Sequence, residues 1–358
     1  MIVYTAPDSM VVGIDARTGA LRWQTQAGTR GHTSGPIVVD GLALSGGACA
    51  GNRDNCFIAA HEVATGREVW RFYTTPAPGE PGDESWAGAS IDNRQASTWG
   101  FPGSYDPERD LILWGVSNPM PDNRSARHGG DPDGTSRTAP ADLYSNSTVA
   151  LDPTTGELVW YYQHLPGDDW DLDATHERTL VRTRVAPDPA HVKWINPAIR
   201  TGERRDIAVT ITEGGGLFAI DRDDGEFLWS TPFPFDTPEF AIADIDVTTG
   251  AVDEAPAPHI GSRTKVDMLW LLAAVQDIAA SDPHFEAAGE AWEQAKEHVV
   301  HREGFAALRN AASAASNALT AKDAVGRLSD ALAEARGAAS RFLLHGVHAG
   351  GELRAHGV

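Results

Sequence analysis

Cysteine is scarce: two among 358 residues, Cys49 and Cys56, in the Gly-rich run Gly46-Gly47-Ala48-Cys49-Ala50-Gly51-Asn52-Arg53-Asp54-Asn55-Cys56. Their spacing fits no zinc pattern. A disulfide between them would close a small loop, contribute about 2.5 kcal/mol by the chain-entropy relation and suit an oxidising compartment. Two half-buried thiols are the alternative. Long apolar runs are missing too, and none reaches the ~20 residues of a membrane span. Positive charge is in short supply, with 29 Lys and Arg against 50 Asp and Glu and a net charge of −21. That balance argues against nucleic acid and anionic membranes as partners. The start also lacks the basic segment of a signal peptide. Met1-Ile2-Val3-Tyr4 runs straight into strand alternation, so the expectation is a chain that begins inside a fold.

What is plentiful is acid, glycine, proline and tryptophan. The densest acidic stretch is Gly167-Asp168-Asp169-Trp170-Asp171-Leu172-Asp173, four carboxylates within seven residues. Carboxylates this close repel each other, so the run is either fully solvated or held by a cation. In an extended segment Asp171 and Asp173 would share one face, a half-shell for a hard, oxygen-seeking ion.

An internal repeat organises the first 255 residues. Gly13-Ile14-Asp15-Ala16-Arg17-Thr18-Gly19-Ala20-Leu21-Arg22-Trp23 recurs in the stretches ending at Trp70, Trp160 and Trp229. A fifth copy, Asp244-Ile245-Asp246-Val247-Thr248-Thr249-Gly250, lacks the Trp. Each copy reads as a hairpin: an apolar strand ending at an acidic residue, a tight turn closed by Gly, and a second strand ending in Trp. Trp23 and Trp70 stand one propeller blade of about 40–50 residues apart. A blade without the motif is visible around Leu111-Ile112-Leu113-Trp114. The expectation is a mainly β protein, with four to five blades of four-stranded antiparallel sheet over residues 1–255. Residues 256–358 change to Ala-rich text. Asp282-Pro283 reads as a helix start, and Phe285, Ala288, Trp292, Ala295 and Val299 form a stripe at helical spacing. Thr320 with Asp323 resembles a capping box, a further stripe runs from Ala321 to Phe342, and 266–280 reads as another helix. The expected second region is therefore an α-helical segment of unknown role.

With these residues laid out, the chain resembles the pyrroloquinoline quinone (PQQ)-dependent alcohol dehydrogenases. The resemblance is carried by Gly31-His32-Thr33-Ser34-Gly35-Pro36, by the stretch from Phe72 to Gly82, and by Ser97-Thr98-Trp99-Gly100. Trp114-Gly115-Val116-Ser117-Asn118-Pro119-Met120-Pro121, Leu143-Tyr144-Ser145-Asn146-Ser147-Thr148 and Trp170-Asp171-Leu172-Asp173 complete it. It implies a quinoprotein-type β-propeller, usually periplasmic, with PQQ and a Ca²⁺ or lanthanide ion on the ring axis. It further implies a small alcohol as substrate and a cytochrome c as electron acceptor. By the same resemblance Trp99 is the floor under the quinone, and Ser97 with Ser34 or Thr33 binds the quinone's carboxylates. Asn118, followed by Pro119, is the amide ligand of the metal. Asp171 is both general base and metal ligand, and Asp173 is the extra carboxylate of the lanthanide-using branch. The implied reaction has the metal polarise the quinone carbonyl, Asp171 take the hydroxyl proton, and hydride pass to the cofactor. A cation beside Asp171 would keep it ionised.

The departures from the family pattern are equally specific. No Glu occupies the loop around Cys49 where the family carries a metal-binding Glu, leaving Asn52 or Asp54 as substitutes. Glu213 falls where the family has a basic residue. The adjacent-cysteine pair is missing, as are the first blade and about the last three. Two further readings follow: a non-catalytic propeller scaffold, or a gene remnant fused to a helical segment.

Overall fold

The computed structural model describes residues 1–29, 31, 35–49, 53–99, 101–169, 171–214, 216–232 and 241–255. Strands β1 (Ile2–Thr5), β2 (Met10–Ile14) and β3 (Leu21–Gln26) form a first antiparallel sheet. Strands β4 (Ile37–Val39), β5 (Leu42–Gly46), β6 (Phe57–Glu62) and β7 (Glu68–Tyr73) form a second, in sequence order. The short β8 (Gln95–Ala96) comes next, then β9 (Ser104–Asp106) and β10 (Leu111–Gly115). After β10, β11 (Pro119–Met120) pairs back with β8. Strands β12 (Ser147–Leu151) and β13 (Leu158–Gln163) complete a third sheet ordered β9-β10-β12-β13. The fourth sheet contains β14 (Thr179–Arg184), β15 (Trp194–Ile195), β16 (Arg204–Thr212), β17 (Gly216–Asp221) and β18 (Phe227–Pro232), with β15 lying outside β18. A last hairpin joins β19 (Ile242–Ile245) to β20 (Val252–Glu254). The single α-helix among the described residues is α1 (Arg124–Arg127). The helical text expected over 256–358 lies outside the described residues.

The repeated turn owes its shape to its acidic residue. Asp152 Oδ1 accepts hydrogen bonds from Thr154 N and Thr155 N, at 2.8 and 2.9 Å. Asp246 Oδ1 does the same for Thr248 N and Thr249 N, and these two bonds hold its carboxyl below the usual range. The side chain thus supplies the acceptor that bends the backbone, and a residue with positive φ closes the turn. Gly156, at φ 74°, fills that place in the third sheet.

The first three repeat Trp residues, Trp23, Trp70 and Trp160, then seal one sheet to the next. The Trp23 indole lies on Gly66 and donates to Val63 O at 3.0 Å. Trp70 lies on Gly156 and donates to Pro153 O at 2.9 Å, and Trp160 lies on Gly225. A side chain on any of these glycines would overlap the ring. Between the second and third sheets the core is continuous, built from Leu44, Ile58, Trp70, Ile112, Trp114 and Val149.

Trp70→Ala is expected to lower the unfolding free energy by about 3–5 kcal/mol. Gly156→Ala is expected to lower it by about 1–3 kcal/mol, from left-handed strain and overlap with the ring. Val69→Ala, whose exposed side chain points away from this contact, changes stability by less than about 0.5 kcal/mol. Urea titrations of the three variants measure the order.

Candidate active site

The site is assembled where the strands of the third sheet run out into loops. Past the end of β10, Val116 N donates to Ser147 O at 2.9 Å and Ser117 N to Ser97 O at 2.7 Å. Ser97 N in turn donates to Ser117 Oγ at 2.7 Å. The segments carrying Ser97 and Asn118 therefore lie side by side. Ser97 Oγ accepts from Trp99 N at 2.7 Å, and Thr98 N and Oγ1 both donate to Gly47 O. These bonds bend residues 97–99 so that Trp99 sits at φ 48°, with 38% of its surface exposed. Gly47 lies two residues before Cys49, which is disulfide-bonded to Cys56, so of the two readings of the cysteine pair the paired one is found.

The four carboxylates of the acidic run do not act together. Asp168 is fully buried, and its Oδ2 accepts from Leu172 N at 2.8 Å and from Asn146 Nδ2 at 3.3 Å. It folds its own turn. Asp169 pairs with Arg124, whose backbone N and guanidinium both bond it. Arg124 also donates to Gly167 O at 2.6 Å and pairs with Glu254 of β20. Arg137 reaches Glu254 at 2.8 Å, and Asp169 N donates to Glu254 Oε1 at 2.9 Å. Two of the four acids are thus spent on shaping the turn.

The other two meet Asn118. Its Nδ2 donates to Asp171 Oδ1 at 3.3 Å and to Asp122 Oδ1 at 3.3 Å, and its backbone N donates to Asp173 Oδ1 at 3.3 Å. The Trp99 indole hydrogen-bonds the Asp173 carboxylate. Asp173 N donates to Glu213 Oε2 at 3.2 Å, and Glu213 N to Asp173 O at 2.9 Å. Asn118 Oδ1 is buried without a hydrogen-bond partner. Burial, and next the negative charge of Glu213, push the Asp173 carboxyl up to about 7 against the pull of Trp99 and Asn118.

Trp99, Asn118, Asp171 and Asp173 are therefore neighbours, and Ser97 lies beneath Trp99. One expectation needs correction. Asp171 and Asp173 do not share a face by strand alternation: Asp171 has φ 60°, so the segment turns rather than extends. The Asn118 amide presents its NH₂ to the Asp171 and Asp122 carboxylates. Thr33, Ser34 and Asn52 lie outside the described residues, and Asp54 is exposed on a 3₁₀ turn. Among the described residues no three His, Cys, Asp or Glu side chains close into a metal cage. Sequence reasoning missed Asp122, Arg124 and Glu254. Only the proximity of Asp122 to Asn118 carried a local signal.

Successive up-and-down sheets, each sealed to the next by a Trp on a turn Gly, define a β-propeller-type fold with an acidic, aromatic site at its loop ends. The family model described as PQQ, glucose/ethanol/alcohol dehydrogenase, β-propeller domain, matches residues 24–232, and the chain belongs to that family. Quinohemoprotein alcohol dehydrogenase ADH IIB of Pseudomonas putida is 30% identical, over 70% of this chain and 34% of the relative. Lanthanide-dependent methanol dehydrogenase of Methylacidiphilum fumariolicum (strain SolV) is 30% identical, over 65% of this chain and 38% of the relative. The solved quinohemoprotein alcohol dehydrogenase ADHIIG from Pseudomonas putida HK5 superposes with a TM-score of 0.55 at 26% identity, covering 70% of this chain and 35% of that one. The chain spans about a third of the length of the curated relatives it matches. No helix among the described residues is long and apolar enough to cross a membrane.

The raised Asp173 carboxyl has a measurable consequence. It keeps its proton up to about pH 7 when folded but loses it near its ordinary 3.8 when unfolded. Native stability of chelator-treated protein therefore falls as pH rises through that window. Asp173→Asn keeps an acceptor for Asn118 and removes the loss. Its thermal midpoint is expected to match the parent at pH 4 and to exceed it at pH 8.

Proposed function

We propose that this chain carries the cofactor- and metal-binding part of a PQQ-dependent dehydrogenase that oxidises a small alcohol to an aldehyde. The observation that supports this reading most is the meeting of Trp99, Asn118 and the Asp171–Asp173 pair, drawn from three separate stretches of the sequence, at an amide whose own oxygen is buried without a hydrogen-bond partner. A buried acceptor without a donor, beside two half-buried carboxylates, is stabilised by a cation. Asn118, Asp171 and Asp173 would hold a Ca²⁺ or lanthanide ion, the amide turning its oxygen toward it. Trp99 would stack under the planar quinone, with Ser97 and Thr33 or Ser34 as hydroxyl partners. When bound, the metal-polarised quinone supplies the hydride acceptor.

The chain's own residues do the remaining work. Asp171 takes the hydroxyl proton of the substrate as general base. The positive φ of Asp171, fixed by the Asp168 bond to Leu172 N, directs its carboxylate toward Asn118 rather than into solvent. Glu213 would repel an anionic quinone, and a bound cation offsets that charge. A periplasmic location and a cytochrome c electron acceptor belong to this reading on family grounds. The residues at 256–358 are proposed as a separate helical segment. Glu213 also favours a second reading, a non-catalytic propeller scaffold that retains the Trp repeat.

The deciding measurement is dye reduction by ethanol after loading with PQQ and Ca²⁺ or La³⁺. Turnover is expected, and Asp171→Ala lowers it by about 10²–10⁴-fold. If the loaded parent is as inactive as Asp171→Ala with either metal, the scaffold reading replaces the catalytic one.

A further inference from the structure

Arg178 is 3% exposed, five residues beyond Asp173. Its guanidinium donates to Thr148 Oγ1 at 2.9 Å, Ala174 O at 2.8 Å, Ser147 O at 3.3 Å and His176 O. All of these acceptors are uncharged. A buried cation without a carboxylate partner is expensive, because uncharged dipoles replace its hydration only in part. Burial accordingly pulls the Arg178 guanidinium down to about 9. A group held at such cost is worth a functional explanation.

Its contacts supply one. Ala174 and His176 are the residues through which the acidic turn leaves the site. Ser147 and Thr148 begin β12, and Thr148 is the register partner of Gly115 at the end of β10. A Cβ at Gly115 would overlap both the guanidinium and Ala174 O. Three residues beyond Gly115 the same strand delivers Asn118. Arg178 therefore fills the gap between the segment carrying Asn118 and the segment carrying Asp171 and Asp173. Thr148 Oγ1 also bonds His164 Nε2 at 2.8 Å. Burial and the Arg178 charge hold that imidazole well below its usual range, so it stays neutral. The guanidinium is thus locked from behind as well.

We propose that Arg178 is a positioning residue that sets the separation between Asn118 and the 171–173 turn, and with it the cation affinity of the site. The inference rests on the reading that those residues hold a cation, but not on turnover or on bound quinone. Arg124 grips the start of the acidic run through Gly167 O and two carboxylates. Arg178 grips its end through carbonyls, so it introduces no competing anion next to the site.

Terbium binding to the full chain, followed by tryptophan-sensitised emission without PQQ, tests this directly. Arg178→Met is expected to weaken terbium binding by about 10–100-fold, the usual cost of losing a group that orients metal ligands. Arg178→Lys, which keeps the charge and an N–H donor group, loses less, and Thr148→Val, which removes the Nε acceptor together with the His164 partner, less again. A bystander charge predicts the opposite, because deleting a buried positive group beside a cation site strengthens binding. Folded Arg178→Met that binds terbium as tightly as the parent, or more tightly, overturns the proposal. If Arg178→Met does not fold, unchanged affinity in both Arg178→Lys and Thr148→Val overturns it equally. A parent chain that binds no terbium overturns the reading of the site and this inference with it.

Discussion

The placing of everything else depends on the docking of each repeat indole onto the turn glycine of the following sheet. The contact fixes both spacing and rotation, since the ring must lie on a backbone without Cβ while, at Trp23 and Trp70, its N–H reaches a carbonyl three residues earlier in the turn. Sheets stacked through Trp23, Trp70 and Trp160 present the ends of their strands at related positions. Asn118 and the acidic turn, supplied by different strand connections, meet because of that regularity.

Like-charge crowding is the second constraint, and it is handled by division. Four carboxylates within six residues cannot all stay ionised at one point without cations. Two are turned toward partners: Asp168 onto backbone and amide N–H groups, Asp169 onto Arg124. The remaining pair is left facing an amide whose neutral N–H groups offset only part of their repulsion. The rest of that repulsion is what a bound ion would relieve. In this chain the charges that shape the turn are thus held apart from the pair that faces Asn118, and the buried Arg124 takes part in that separation.

The hairpins and their Trp residues were legible in the sequence because each is a local pattern of acid, turn glycine and indole, complete within about a dozen residues. The neighbourhood of Trp99, Asn118 and Asp171 could be expected only through the family resemblance, because nothing in the intervening residues encodes it. Alternation suggested a shared face for Asp171 and Asp173, but the bond from Leu172 N to Asp168 outweighs extension and bends the segment. The roles of Arg124 and Glu254 were illegible for a plainer reason. They lie 130 residues apart, and neither has any distinguishing local context.

The ionic cluster that ties β20 to the acidic turn has an evolutionary corollary. Glu254 receives Arg124, Arg137 and the Asp169 backbone at once, out of contact with water. Losing Glu254 alone leaves Arg124 with Asp169 as its remaining carboxylate, in a medium that solvates the excess charge poorly. Substitutions at the two positions are therefore coupled: neutralising Glu254 costs less in a chain from which Arg124 has gone as well.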